Sequence, residues 1–168
     1  FRGKGVYGRP HPIQSRIPVI NAAASEEGRA FAMRNADFLF TPVFDFDQAK
    51  AAVDEISQKS ASVGRDVNVL TFCTVVCRPT QQEAEDYLHW YANENADWDA
   101  VDNLMTLQGM HAQSFTKEAL SMFRDRFAAG HGGFPLVGTP DHIADQLERL
   151  SETGVAGTTL SFVDYAKE

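Results

Sequence analysis

The sequence predicts an α/β fold built on a parallel β-sheet. Three observations carry that expectation. Short strand-like runs alternate with amphipathic helical stretches along the chain. The runs are apolar almost continuously, as strands covered on both faces are, instead of alternating apolar and polar. Most of the helical stretches open on a residue type that caps helices.

Residues 1–17 are rich in Gly, Pro and Arg and are expected to be loop. Ile17 to Ala22 is a short apolar run bounded by turn signals, and so a buried strand. Ser25 follows where an N-cap belongs, with Glu26 and Glu27 in the first turn, where the helix dipole favours negative charge. That helix runs to Asn35, and Ala36 to Thr41 is a second strand closed by Pro42. Asp45-Phe46-Asp47 opens a longer helix with Ala49, Ala52, Val53 and Ile56 on one face, ended by Gly64. Val67 to Val76, dense in β-branched residues, is the strongest strand. Pro79-Thr80 starts the next helix, with Ala84, Tyr87, Leu88 and Tyr91 spaced for burial.

Residues 92–135 interrupt the rhythm: helices over about 97–108 and 114–128 run into the Gly-rich stretch Ala129 to Pro135. An insertion of that size is expected to cover a site. Thr139-Pro140 resumes the pattern with a cap and a proline at the first helical position. Ile143, Leu147 and Leu150 form its seam, Gly154 closes it, and Thr158 to Val163 is the last strand. Four strands, with helices after at least three, amount to about four βα units, half of an eight-unit barrel. A free half would expose two strand edges. The natural protein is therefore expected to extend upstream, with residues 1–168 a single partial barrel domain.

The 168 residues carry a net charge of -8, which argues against a nucleic-acid partner. No apolar run approaches membrane-spanning length. Cys73 and Cys77 are four apart on a strand, so they share a face and are expected to be packed thiols in a reducing cytoplasm. No His/Cys/Asp/Glu spacing suits a metal site.

The stretch Val19 to Ala32, with Ser25, Gly28-Arg29 and Phe31-Ala32, followed by Ala36-Asp37, closely resembles a signature of the bacterial luciferase-like flavin-dependent monooxygenases. Gly133 to Pro140 is similar to that family's entry to its last helix, and Leu160 to Tyr165 to its last strand. The resemblance implies the C-terminal half of a TIM-type (β/α)8 barrel, with a helical insertion before the last helix–strand unit. It further implies reduced FMN delivered by a separate NAD(P)H-dependent flavin reductase, molecular oxygen, and a peroxyflavin that oxygenates a small substrate. The sulfone, alkanesulfonate and pyrimidine branches look nearest. A deazaflavin replaces FMN in one branch, and a homo-oligomer is expected of the full-length protein. A non-catalytic flavin-binding protein and an unrelated phosphate-binding barrel enzyme are the other classes considered.

Carried over by that resemblance, Ala23, Ala24 and Ser25 would form the cofactor turn, its free amides and hydroxyl holding the FMN phosphate. Alternatively, Ser25 is an N-cap only. The family usually has Gly where this chain has Ala23, a small change where the backbone nears the cofactor. Arg124, Arg126 and His131 belong to the insertion, which in relatives acts as a lid; Arg124 and His131 are candidate catalytic residues, with glycines beside His131 as hinges. Surface arginines and a plain turn are the alternative. His111 is a further candidate proton donor, or a capped loop histidine. Arg29 is expected to be a solvated helix residue, and Asp37 and Asp164 to make local hydrogen bonds.

Overall fold

The structure is a computed structural model describing residues 4–5, 10, 12–23, 25–110 and 116–168. Strand β1 (Ile20–Ala22) leads into α1 (Glu26–Asn35), β2 (Phe38–Phe40) into α2 (Phe46–Ala61), and β3 (Asn68–Cys77) into α3 (Gln81–His89). A wider π-helical turn, Trp90–Glu94, extends α3. Helices α4 (Trp98–Leu107) and α5 (Lys117–Gly130) follow, then β4 (Phe134–Gly138), α6 (Pro140–Glu152) and β5 (Gly157–Phe162).

The helix starts fall where their capping residues place them. Ser25 Oγ accepts the Gly28 amide at 3.1 Å and Asp45 Oδ1 the Gln48 amide at 2.7 Å. Thr80 and Glu83 form a reciprocal capping box, and Thr139 caps a helix whose first residue is Pro140.

Five strands are present among the described residues where the sequence suggests four. Phe134 to Gly138 is a strand, not the end of a loop. Pro135 disguises it, because proline cannot donate to a ladder and sits at edges. β4 is such an edge, paired with β3 alone.

Every pairing is parallel. Leu70 pairs with both Phe40 and Gly157, and Cys73 with both Phe134 and Leu160. β2 and β4 therefore lie end to end along one edge of β3, and β5 takes the other. Ten residues of β3 are long enough to serve both.

One face of this sheet holds the main core. Leu39, Val69, Cys73, Val75 and Leu136 pack with Ala32 of α1, Ala49 and Ile56 of α2, and Ile143 and Leu150 of α6. Alternation sends their neighbours to the opposite face. There Ile20 is 58% exposed, Phe38, Phe40, Leu70 and Phe72 are half-buried, and Thr159 and Ser161 are exposed, whereas Thr74 and Val76 toward the end of β3 are buried. The Phe40 and Phe72 rings stack at 5.8 Å on that open side. Cys73 and Cys77 both pack on the core face, as their spacing requires, and burial pushes the Cys73 thiol up from its ordinary value.

Helices α4 and α5 have a small core of their own, Val101, Met105 and Phe123. Phe44, just past β2, meets it edge-on at 5.1 Å from Phe123. Among the described residues no helix is long and apolar enough to cross a membrane.

Candidate functional site at the C-terminal rim

In a parallel βα sheet the loops after the strands gather at one rim, and there ligands are held. β1 delivers Ala23 and Ser25 to that rim. Ser25 has extended backbone, and its carbonyl takes the first intrahelical bond, from Arg29 N at 2.9 Å. Its hydroxyl oxygen accepts from Gly28, leaving the hydroxyl proton to donate elsewhere. The amides of Glu26 and Glu27 belong to the first turn, which has no acceptor inside the helix. Their carboxylates are exposed, so they face solvent. The turn closes tightly on Gly28: a Cβ there would stand 2.9 Å from Ala23 Cβ and 3.1 Å from Ser25 Oγ. Glycine at 28 is thus what lets the turn fold back on the helix start. Ala24 lies outside the described residues.

Arg29 is not a solvated helix residue. Its Nη2 donates to Thr41 Oγ1 at 3.2 Å, and Nη1 stands 3.9 Å from Glu55. It ties α1 to the end of β2 and to α2. At the opposite rim, Asp37 makes the local bonds expected of it. The Val19 amide at 2.8 Å, together with Arg16 and Arg65, holds its carboxyl below the ordinary value. Asp164 likewise accepts from the Ala166 amide at 3.1 Å.

The candidate residues of the insertion lie on α5 and its cap. Arg124 donates through Nε and Nη2 to the two oxygens of Asp102, at 2.6 and 2.9 Å, and lies over the Trp98 ring at 4.2 Å. This fork binds α5 to α4, and the Arg124 hydrogen bond holds Asp102 below the usual carboxylate range. His131 ends α5 in the left-handed region at φ 56°, exposed, with its ring 5.3 Å from Phe127 and Nε2 3.3 Å from Gln108 Nε2. His111 lies outside the described residues. No hydrogen bond, ion pair or ring contact among the described residues joins Ala23 or Ser25 to Arg124 or His131.

Arg126 is more deeply engaged than a surface charge. Nη2 donates to the Phe44 carbonyl at 2.7 Å, the guanidinium lies over the Phe44 ring at 5.2 Å, and Nη1 is buried without a partner. Burial lowers its pKa, although arginine stays cationic. The signal was in the spacing: Phe123, Arg126, Phe127 and Gly130 share one helical face. Arg126 also edges a cavity of about 20 Å³ with Thr74, Tyr91 and Gly130, room for one water and not for a substrate. Beside it Thr74 Oγ1 donates to the Gly130 carbonyl at 2.9 Å and Tyr91 Oη to the Ala129 carbonyl at 2.7 Å, seating the end of α5 against β3 and the π-helical turn. Among the described residues no group of three or more His, Cys, Asp or Glu could hold a metal ion.

A family model described as luciferase-like monooxygenase matches residues 1–157. The chain is 28% identical over 172 residues to the FMNH(2)-dependent dimethylsulfone monooxygenase of Pseudomonas putida, spanning 95% of this chain and 46% of that one. It is 30% identical over 185 residues to the dimethyl-sulfide monooxygenase of Hyphomicrobium sulfonivorans, spanning 90% of this chain and 38% of that one. Less than half of either relative's length is therefore matched. Among solved structures, DmoA from Hyphomicrobium sulfonivorans superposes with a TM-score of 0.69 at 22% identity, covering 85% of this chain and 36% of that one. The EDTA monooxygenase EmoA from Chelativorans sp. BNC1 gives 0.69 at 19% identity, with 96% and 44% covered.

Proposed function

This chain belongs to the luciferase-like monooxygenase family, and on that premise we propose that it is the C-terminal half of an FMN-dependent monooxygenase barrel. The named relatives act on dimethylsulfone and dimethyl sulfide. Its substrate is a small organic molecule of that kind, with a separate flavin reductase supplying reduced FMN. Support for the half-barrel comes from the sheet: a parallel sheet wants both faces covered, and on the face away from the main core Ile20 is exposed and Phe38, Phe40 and Phe72 are only half-buried. Four further βα units would close over it. In that closed barrel the covering part of residues 92–135 is α4 and α5, since Phe134 and Pro135 belong to β4.

The observation that carries the cofactor reading is the capped turn after β1. The residues fit a phosphate: two first-turn amides without helical acceptors, an unspent Ser25 hydroxyl proton, and a turn so close-set that even one methyl group at Gly28 would crowd it. Ala23, Ala24 and Ser25 would hold the FMN phosphate. Bound there, FMN supplies the redox chemistry with oxygen that no side chain can. The chain's own part is to anchor that anion, to brace the rim through Arg29 and Thr41, and to keep water out with α4 and α5. Arg124 and His131 are assigned to that cover, and His111 is kept as a candidate proton donor on the family resemblance alone. Arg124 spends its fork on Asp102 and must release it before it can meet a substrate.

Ser25→Asp tests the anchor. Aspartate still caps a helix but sets a carboxylate against the phosphate. FMN affinity of the whole enzyme, read by flavin fluorescence, should fall about 10- to 100-fold, as expected for losing a charge-assisted hydrogen bond. Unchanged affinity removes the phosphate from this turn. A parallel titration with a deazaflavin decides between the two cofactor classes.

A further inference from the structure

Away from the Ser25 turn, the same rim carries a second set of donors converging on an anion. The amides of Val163 and Asp164, just past β5, donate to one carboxylate oxygen at 2.8 and 2.9 Å. Arg78 Nη1 and the Cys77 amide, at the end of β3, donate to the other at 2.6 and 3.3 Å. The carboxylate is that of Glu168, whose side chain is 0% exposed, while that of Arg78 is 12% exposed. Both oxygens thus have two donors each, the condition under which a buried carboxylate is tolerated.

The donors do not depend on Glu168 for their placement. The pairing of Val75 with Phe162 sets the ends of β3 and β5 side by side, and the Val163 amide also reaches the Val75 carbonyl at 3.3 Å, which places the Cys77 and Val163 amides. Arg78 is braced twice: Nη1 also donates to the Cys77 carbonyl at 2.6 Å, and the Tyr87 ring lies 4.0 Å from the guanidinium carbon. Tyr91 and Trp90 pack on Tyr87 in turn, at 5.3 and 5.9 Å. The ligand arrives on a short turn closed by two bonds to the Asp164 carbonyl, from the Lys167 and Glu168 main-chain amides, so the Glu168 side chain can be removed with the turn's own bonds kept.

We propose that Cys77, Arg78, Val163 and Asp164 form an anion receptor for a planar carboxylate, filled by Glu168 as a tethered ligand that a free carboxylate can replace. The four donors lie two to an oxygen. Sulfate or phosphate would bury further oxygens for which no donor stands ready, so formate and acetate are the chemistry selected. The proposal rests on these contacts alone and needs no flavin.

The test is chemical rescue of Glu168→Ala in the full chain, read by thermal melting. Removing one partner of a buried pair should lower Tm by about 10 °C for a domain of this size. Sodium formate should restore much of that loss in a concentration-dependent way, beyond its effect on the wild type and beyond chloride at equal ionic strength. Adding Arg78→Gln should abolish the formate response. A formate effect no larger than in the wild type overturns the receptor, and rescue by sulfate equal to that by formate overturns its selectivity. Should Glu168→Ala fail to fold, the isosteric Glu168→Gln is measured by hydrogen exchange. The Val163 and Asp164 amides should then exchange faster than in the wild type, and unchanged protection also overturns the proposal.

Discussion

The strand–helix body and the α4–α5 pair are held together by different physics. In the body, α1, α2 and α6 lay apolar faces on one continuous sheet surface, and Ala32, Leu39, Ala49, Cys73 and Leu136 are wholly buried. The pair buries only Val101, Met105 and Phe123, and it is otherwise fastened at points. Those points are the Arg124–Asp102 fork, Arg126 on the Phe44 carbonyl, and the bonds from Thr74 and Tyr91 to the end of α5. A broad apolar contact fails as a whole, whereas point fastenings release one at a time. Local opening is therefore expected of the pair and not of the body, which is what a cover over a reactive site requires.

Leu136→Ala probes the body most severely. Its side chain is fully buried at the centre of the main core, and truncation should cost about 2–5 kcal/mol of global stability, visible as a lower denaturant midpoint. Phe123→Ala removes the centre of the smaller cluster, a truncation worth about 3–5 kcal/mol in a well-packed core. Here the loss should stay local: amides of α4 and α5 should exchange faster while those of β3 keep their protection. Equal deprotection of both regions would erase the distinction between them.

Smallest is the effect of Asp102→Asn. The Arg124 hydrogen bond lowers the folded pKa of Asp102. Its contribution is thus complete above the ordinary carboxylate range and is lost as pH falls through the lowered value. Amide exchange in α5, corrected for its intrinsic pH dependence, should rise on acidification in the wild type and respond less in the variant. The same acid response in both proteins would show that the fork does not hold the pair.

Most of the body was legible because its signals are local. Ser25, Asp45, Thr80 and Thr139 each satisfy an amide three residues on, and apolar spacing assigns a helix to its face without knowledge of its neighbours. β4 was missed because Pro135 argues against a strand unless that strand is known to lie at an edge, and edges are a property of the whole sheet. The π-turn at Trp90–Glu94 was not foreseen either. Of the site, the cap at Ser25 was readable from sequence. The partners of Arg29, Arg124 and Arg126 lie 12, 22 and 82 residues away in sequence, and Arg78 meets Glu168 across 90. No window of sequence reports such distances.

Pro135 also limits how the sheet can grow. Among the described residues three strands keep a free edge: β1, β4 and β5. A proline at the second position of β4 removes one donor from five residues, so that border makes a poor template for another strand. β1 and β5 carry no such block. They are the two seams along which further parallel strands can be joined, and closure into a cylinder needs a seam at either end.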